Sequence, residues 1–186
     1  MRLTDNLSAN LKLNEFISTV PNDFQLSLLK LIAGELQKVR NWINTQPAND
    51  WRINPSMEIG INISNGVRTV NDFMRLKGAG YNPSKSSDHF YGFAPYFAAP
   101  TLGAADVTFS NCKKSLYDVH EAICKLAATG AVSFGQIIYE KGKNSPWIHF
   151  GNEWTKIFKD EITGNTRKRF LQSLDNGVTY TERVIK

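Results

Sequence analysis

The sequence predicts an α+β fold, and three patterns carry that expectation. Leu28, Ile32, Leu36, Val39 and Ile43 recur at steps of three and four, the spacing of a helix buried along one stripe. Ile59, Ile61 and Ile63 alternate with Gly60 and Asn62, the period of a strand buried on one face. Helical spacing then returns at Leu116, Val119, Ile123 and Leu126, flanked by short apolar segments at 105–109, 133–139 and 147–150.

In chain order, Pro21-Asn22-Asp23 reads as the start of the long helix, with Asp23 as its cap, and Pro47 closes it. The strand at 57–63 runs into a turn at Gly66 and a short helix over 70–76. Residues 78–87, rich in Gly, Pro, Ser and Asn, form a loop. The strand 105–109 precedes the second helix, which stops near Gly130. Segments 133–139 and 147–150 are neighbouring strands joined by the polar stretch 141–146. Asp175-Asn176-Gly177, between 170–174 and 178–184, is a hairpin signal. With no repeat, low-complexity tract or linker, residues 1–186 are expected to form one domain.

A hydrophobic fraction of 41% supports a core, and 21% charged residues suit a polar surface. The net charge of +5 favours anionic partners or simply solubility. Its Lys and Arg residues are scattered, and the run Arg167-Lys168-Arg169 is too short for a nucleic-acid patch. Cys112 and Cys124 make neither a CxxC pair nor a disulfide framework, so both are expected as inert thiols. The first residues lack the apolar stretch of a secretion signal, and no window approaches the roughly 20 apolar residues of a membrane span. The expectation is synthesis in the cytoplasm without membrane insertion, any action outside needing another exit route.

There are three histidines. His89 lies in the polar loop that leads toward Asp106, and His149 lies in the strand 147–150. His120 sits off the apolar stripe of its helix, so a surface or half-buried position is expected for it. Two histidines and a carboxylate can hold zinc and leave a fourth position open for water. Each His has the alternative of being a satisfied core residue. No Gly-x-Ser-x-Gly elbow is present, which argues against a serine hydrolase.

Five segments then combine in order: Ser64-Asn65-Gly66-Val67-Arg68-Thr69; Ser87-Asp88-His89 with Gly92; Ala104-Ala105-Asp106-Val107; Gln136-Ile137-Ile138-Tyr139-Glu140; and Trp147-Ile148-His149. Together they resemble the zinc D-Ala-D-Ala carboxypeptidase and phage endolysin family of peptidases. The resemblance implies a hedgehog/D-Ala-D-Ala peptidase-like fold, its central antiparallel sheet flanked by helices. The catalytic core would span about 21–151 and a C-terminal hairpin about 168–184. It implies a zinc ion (Zn2+) on His89, Asp106 and His149, Glu140 as general base, and Arg68 gripping a substrate carboxylate or developing oxyanion. Ser87 and Trp147 would join Arg68 in contacting substrate. The implied reaction is hydrolysis of a peptide bond in the peptidoglycan stem, by a carboxypeptidase or an endolysin-type endopeptidase acting on the cell wall, in a phage context.

The chain departs from the family pattern in two places. An aromatic, Pro-containing insertion within 93–103 separates His89 from Asp106. Pro146 stands where many members carry an acid three positions before the final His, which leaves Glu140 as the candidate base. These departures keep open a wall-binding module of the same fold without catalysis. A basic nucleic-acid-associated protein is the remaining alternative, resting on charge alone.

Overall fold

The structure, a computed structural model, describes residues 2–81, 83, 87–93, 100–152, 169–175 and 178–182. Most of the 93–103 insertion, Arg167-Lys168, Asn176-Gly177 and the end of the expected last strand lie outside the described residues. No helix among the described residues is long and apolar enough to cross a membrane.

A short helix α1 (Leu13–Phe16) precedes the long helix α2 (Asp23–Asn44). The cap of α2 is Asn22, not Asp23, which is the first helical residue. The Asn22 side chain accepts from the Gln25 N–H at 2.8 Å, while the Gln25 side chain accepts from the Asn22 N–H at 3.2 Å. This reciprocal box satisfies two otherwise orphaned donors, a pattern Asp23 cannot make from inside the helix. A single-turn helix α3 (Ala48–Trp51) follows Pro47, and strand β1 (Gly60–Asn65) leads through Gly66 to α4 (Val70–Gly78). A 3-10 turn, Asp88–Phe90, runs into the small pair β2 (Gly92–Phe93) and β3 (Pro100–Thr101). Strand β4 (Ala104–Ser110), helix α5 (Leu116–Ala128) and strands β5 (Phe134–Lys141) and β6 (Pro146–Asn152) follow. Strands β7 (Arg169–Ser173) and β8 (Thr181–Glu182) end the description.

The α+β expectation holds, but the sheet is mixed rather than antiparallel. Its six strands run in the order β1-β4-β6-β5-β7-β8, and β7 lies parallel to β5. Topology explains this. Both edges of β6 are taken by β4 and β5, and the next strand adds at the open edge of β5. Arg169 begins β7 beside Gln136, which also pairs with Gly151 at the end of β6. The returning chain therefore starts where β5 starts and runs with it.

Strand alternation gives the sheet two unlike faces. Val107, Ile137, Ile148 and Phe150 point to one side and pack with Leu29, Ile32, Leu36, Val119 and Ile123 of the two long helices. Phe134 and Phe150 add a tilted ring pair at 4.7 Å. Asp106, Ile138, Glu140 and His149 belong to the opposite face, as the pairings Asp106–His149 and Ile138–His149 require.

Leu36 is fully buried at the middle of α2. Leu36→Ala is expected to cost about 2–5 kcal/mol, read as a lower urea midpoint at unchanged slope.

Candidate functional site

The site begins with register. Asp106 of β4 pairs with His149 of β6, so two neighbouring central strands deliver a carboxylate and an imidazole to the same face. His149 Nδ1 stands 3.0 Å from Asp106 Oδ1. His89 arrives from the 3-10 turn, its Nε2 3.1 Å from Asp106 Oδ1 and 3.1 Å from His149 Nδ1. All three residues are buried, with relative exposures of 2%, 7% and 8% for His89, Asp106 and His149.

Backbone contacts hold the turn. The Arg68 N–H donates to the His89 carbonyl at 2.7 Å, the Gly103 N–H donates to that of Asp88 at 3.1 Å, and Ser87 Oγ accepts from the His89 N–H at 3.4 Å. The His89 ring is fixed by Gly66, whose carbonyl lies 2.7 Å from Nδ1. A carbonyl only accepts, so Nδ1 carries the proton. In the neutral ring Nε2 then presents a lone pair to the Asp106 carboxylate and to His149. Three lone pairs converging within 3.1 Å repel unless a positive charge sits among them, either a proton or a metal ion. The triad can hold a metal ion.

Asp106 is oriented from its other side. A register shift between Ile63 and Asn65 in β1 turns Asn65 toward it. Asn65 Nδ2 donates to Asp106 Oδ2 at 3.1 Å, and the Ser64 hydroxyl donates to the Asp106 carbonyl at 3.0 Å. Burial pushes the Asp106 carboxyl up, but the neighbouring His89 and His149 outweigh it and hold the group well below the usual carboxylate range.

Glu140 lies two residues beyond Ile138, the register partner of His149, and so shares the site face. Burial lifts its carboxyl to about 7; His149 and Arg68 pull it down while Asp106 pushes it up. Burial also lowers the pKa of Arg68, against the pull of Asp106 and Glu140. Arg68 Nη1 donates to Ser87 Oγ at 3.2 Å, and its buried Nε has no partner among the described residues. Arg68 and Thr69 also line a cleft of about 240 Å³ with Ser18, Thr19, Gln25 and Phe90.

The expected site residues therefore meet on one face, with different parts to play. Ser87 caps the turn of His89 and braces Arg68. Trp147 pairs with Glu140 across the hairpin, and its ring lies over Gly142, where an added Cβ would fall 2.0 Å from Cζ3. That ring closes the β5–β6 turn. His120 differs from expectation: it is fully buried, 3.4 Å from the Cys124 sulfur and near the rings of Tyr117 and Tyr139. Tyr139 is next to Glu140 and so faces the helices, which places His120 across the sheet from the triad. The roles of Asn65 and Gly66 were not read from the sequence. Their only signal was membership of the segment Ser64–Thr69, and a bulge leaves no periodic trace.

Gly66 is required by close approach. A Cβ there would lie 2.3 Å from the Phe16 carbonyl oxygen, which already accepts from the Val67 N–H at 2.7 Å. Gly66→Ala is expected to destabilise by about 1–3 kcal/mol and to displace His89, read as weaker divalent-metal binding in calorimetry. Glu140→Gln has the opposite sign for stability. Wild-type Glu140 keeps its proton in the folded chain up to about pH 7 but loses it near 4.5 when unfolded. Its contribution is thus lost as pH rises from about 4.5 through 7. In the metal-free protein, urea titrations at pH 5 and pH 8 should show Glu140→Gln gaining on wild type at the higher pH.

Comparison with protein-family models, with curated proteins and with solved structures returns no match.

Proposed function

We propose that the chain is a zinc-dependent peptidase that hydrolyses a peptide bond of the peptidoglycan stem, close to D-alanine. The observation that carries this reading is one face on which His89, Asp106 and His149 converge within 3.1 Å while Glu140 and Arg68 stand beside them. The donor set fits zinc. Two imidazoles and a carboxylate are a catalytic rather than a structural complement, since they leave a coordination position free. Ligand atoms 3.0–3.1 Å apart come within a few tenths of the about 3.3 Å edge expected for a tetrahedron of about 2.0 Å radius. The resemblance of the five motifs supplies the substrate class, and it also suggests a phage lysin acting on the cell wall.

When bound, zinc supplies Lewis acidity, which acidifies water and polarises a carbonyl. The chain's own residues do the rest. His89 keeps a fixed tautomer through Gly66, so its Nε2 stays directed at the metal position. Asp106 is clamped by Asn65 and cannot rotate away. Glu140, with a carboxyl near the pH of its task, accepts a proton from the attacking water and returns it to the leaving amine. Arg68 holds the substrate carboxylate or the oxygen that gains charge as the carbonyl is attacked. Ser87 fixes the guanidinium against swinging out of the site.

Zinc-loaded wild type is expected to release new amino groups from purified peptidoglycan. Glu140→Gln should keep the metal and lose activity by about 10²–10⁴-fold, while His149→Ala should lose both. Wild type and Glu140→Gln that were equally inert, yet bound walls, would replace the peptidase with a wall-binding module. Salt-sensitive DNA binding without zinc dependence would instead support the nucleic-acid alternative.

A further inference from the structure

One residue on the site face of the sheet belongs to neither the five motifs nor the proposed mechanism. Tyr180 immediately precedes β8, on the C-terminal hairpin. Its position follows from three strands in register. Glu140 of β5 pairs with Ser173 of β7, and Gln172 pairs with Thr181 of β8. Continuing that antiparallel register by one step sets Tyr180 opposite Ser173, so Glu140, Ser173 and Tyr180 form a row on the site face. Described residues between the two strands are tied together by hydrogen bonds. Asp175 accepts from the Thr179 N–H at 2.9 Å, from the Thr179 hydroxyl at 2.5 Å and from the Ser173 hydroxyl at 2.9 Å. This network delivers Tyr180 in a set orientation.

The side chain suits a ligand contact. Tyr180 is 48% exposed, so its ring borders open space rather than filling the core. Its hydroxyl has no hydrogen-bond partner among the described residues. Burial raises its pKa, and the charges of Glu140 and Asp106 raise it further against that of Arg68, so the phenol keeps the proton it can donate in a hydrogen bond. A hydroxyl donor in the row of Glu140 and Ser173, on the face that carries the triad, has a chemical complement in an anionic or carbonyl oxygen of the bound peptide.

Resting on the peptidase reading above, we infer that Tyr180 is a further substrate-contacting residue, donating its phenol proton in a hydrogen bond to a carboxylate or carbonyl oxygen of the peptide held by Arg68. The C-terminal hairpin is then one wall of the site.

The test is Tyr180→Phe in the full zinc-loaded chain, which keeps the ring and removes only the donor. Two readouts are taken: amino-group release from peptidoglycan, and calorimetric binding of D-alanyl-D-alanine. Zinc content and melting temperature should match wild type. Amino-group release is expected to fall about 10–100-fold and dipeptide binding to weaken about tenfold, the loss expected when a hydrogen bond to the bound substrate is removed. Equal release and equal binding in Tyr180→Phe and an active wild type would overturn the assignment and leave the peptidase reading standing. A wild type that neither binds the dipeptide nor releases amino groups would overturn the peptidase reading, and this assignment with it.

Discussion

The register between β4 and β6 sets Asp106 directly opposite His149, and the chemistry of the site is built outward from that pairing. A slip of one residue in either strand would send its polar side chain to the helix face and bring Val107 or Ile148 to the polar one. The slip is prevented by the core itself. Ala105, Val107, Ile148 and Phe150 are all buried against α2 and α5, and every one of them would lose its place. The hydrophobic effect thus positions the polar groups indirectly: packing on one face specifies the geometry of the other. The third ligand then needs only a short turn held by Arg68, Gly103 and Ser87 to reach the pair.

That arrangement opposes stability locally. Asp106 and Glu140 are carboxyls taken out of water, Arg68 is a cation with a buried, unpaired Nε, and two imidazoles face a carboxylate. Each costs free energy that hydrogen bonding only partly offsets. The clamps on Asp106 and His89 show where the compensation is concentrated, on the groups whose orientation matters most. Among the described residues Glu140 has no such hydrogen-bonding clamp, and burial dominates its pKa. A carboxyl left near neutral pH is poorly suited to structure and well suited to passing a proton.

How much of this was legible in the sequence depends on the range of the interaction. The stripe of α2 and the alternation of Ile59, Ile61 and Ile63 are local periodicities, and both appear in the structure. His89, Asp106 and His149 could be grouped because residue type and order carry metal chemistry independently of fold. His120 was expected at or near the surface and is fully buried. Its burial involves Tyr117 and Cys124 of its own helix and Tyr139 of the facing strand, and no apolar stripe announces a polar residue sealed in this way. The parallel pairing of β7 was equally hidden, since it depends on which of the open sheet edges the returning chain joins. Asn65 and Gly66 owe their positions to a bulge and to contact with Phe16, a residue far away in the chain.

The site draws on Gly66, His89, Asp106, Glu140 and His149, segments that meet only when the sheet is complete. A partly folded chain holds the three triad residues apart, so a cation they could hold would favour the folded state. Binding that favours one state stabilises it by mass action. A cation bridging β4, β6 and the 3-10 turn would therefore reinforce the same register that creates its site. It would also place a positive charge among the three converging lone pairs, where a proton otherwise serves. The local cost of assembling the triad and its capacity to hold a metal ion are on this view linked. The more strongly the three side chains repel one another, the more of that repulsion a bound cation would relieve.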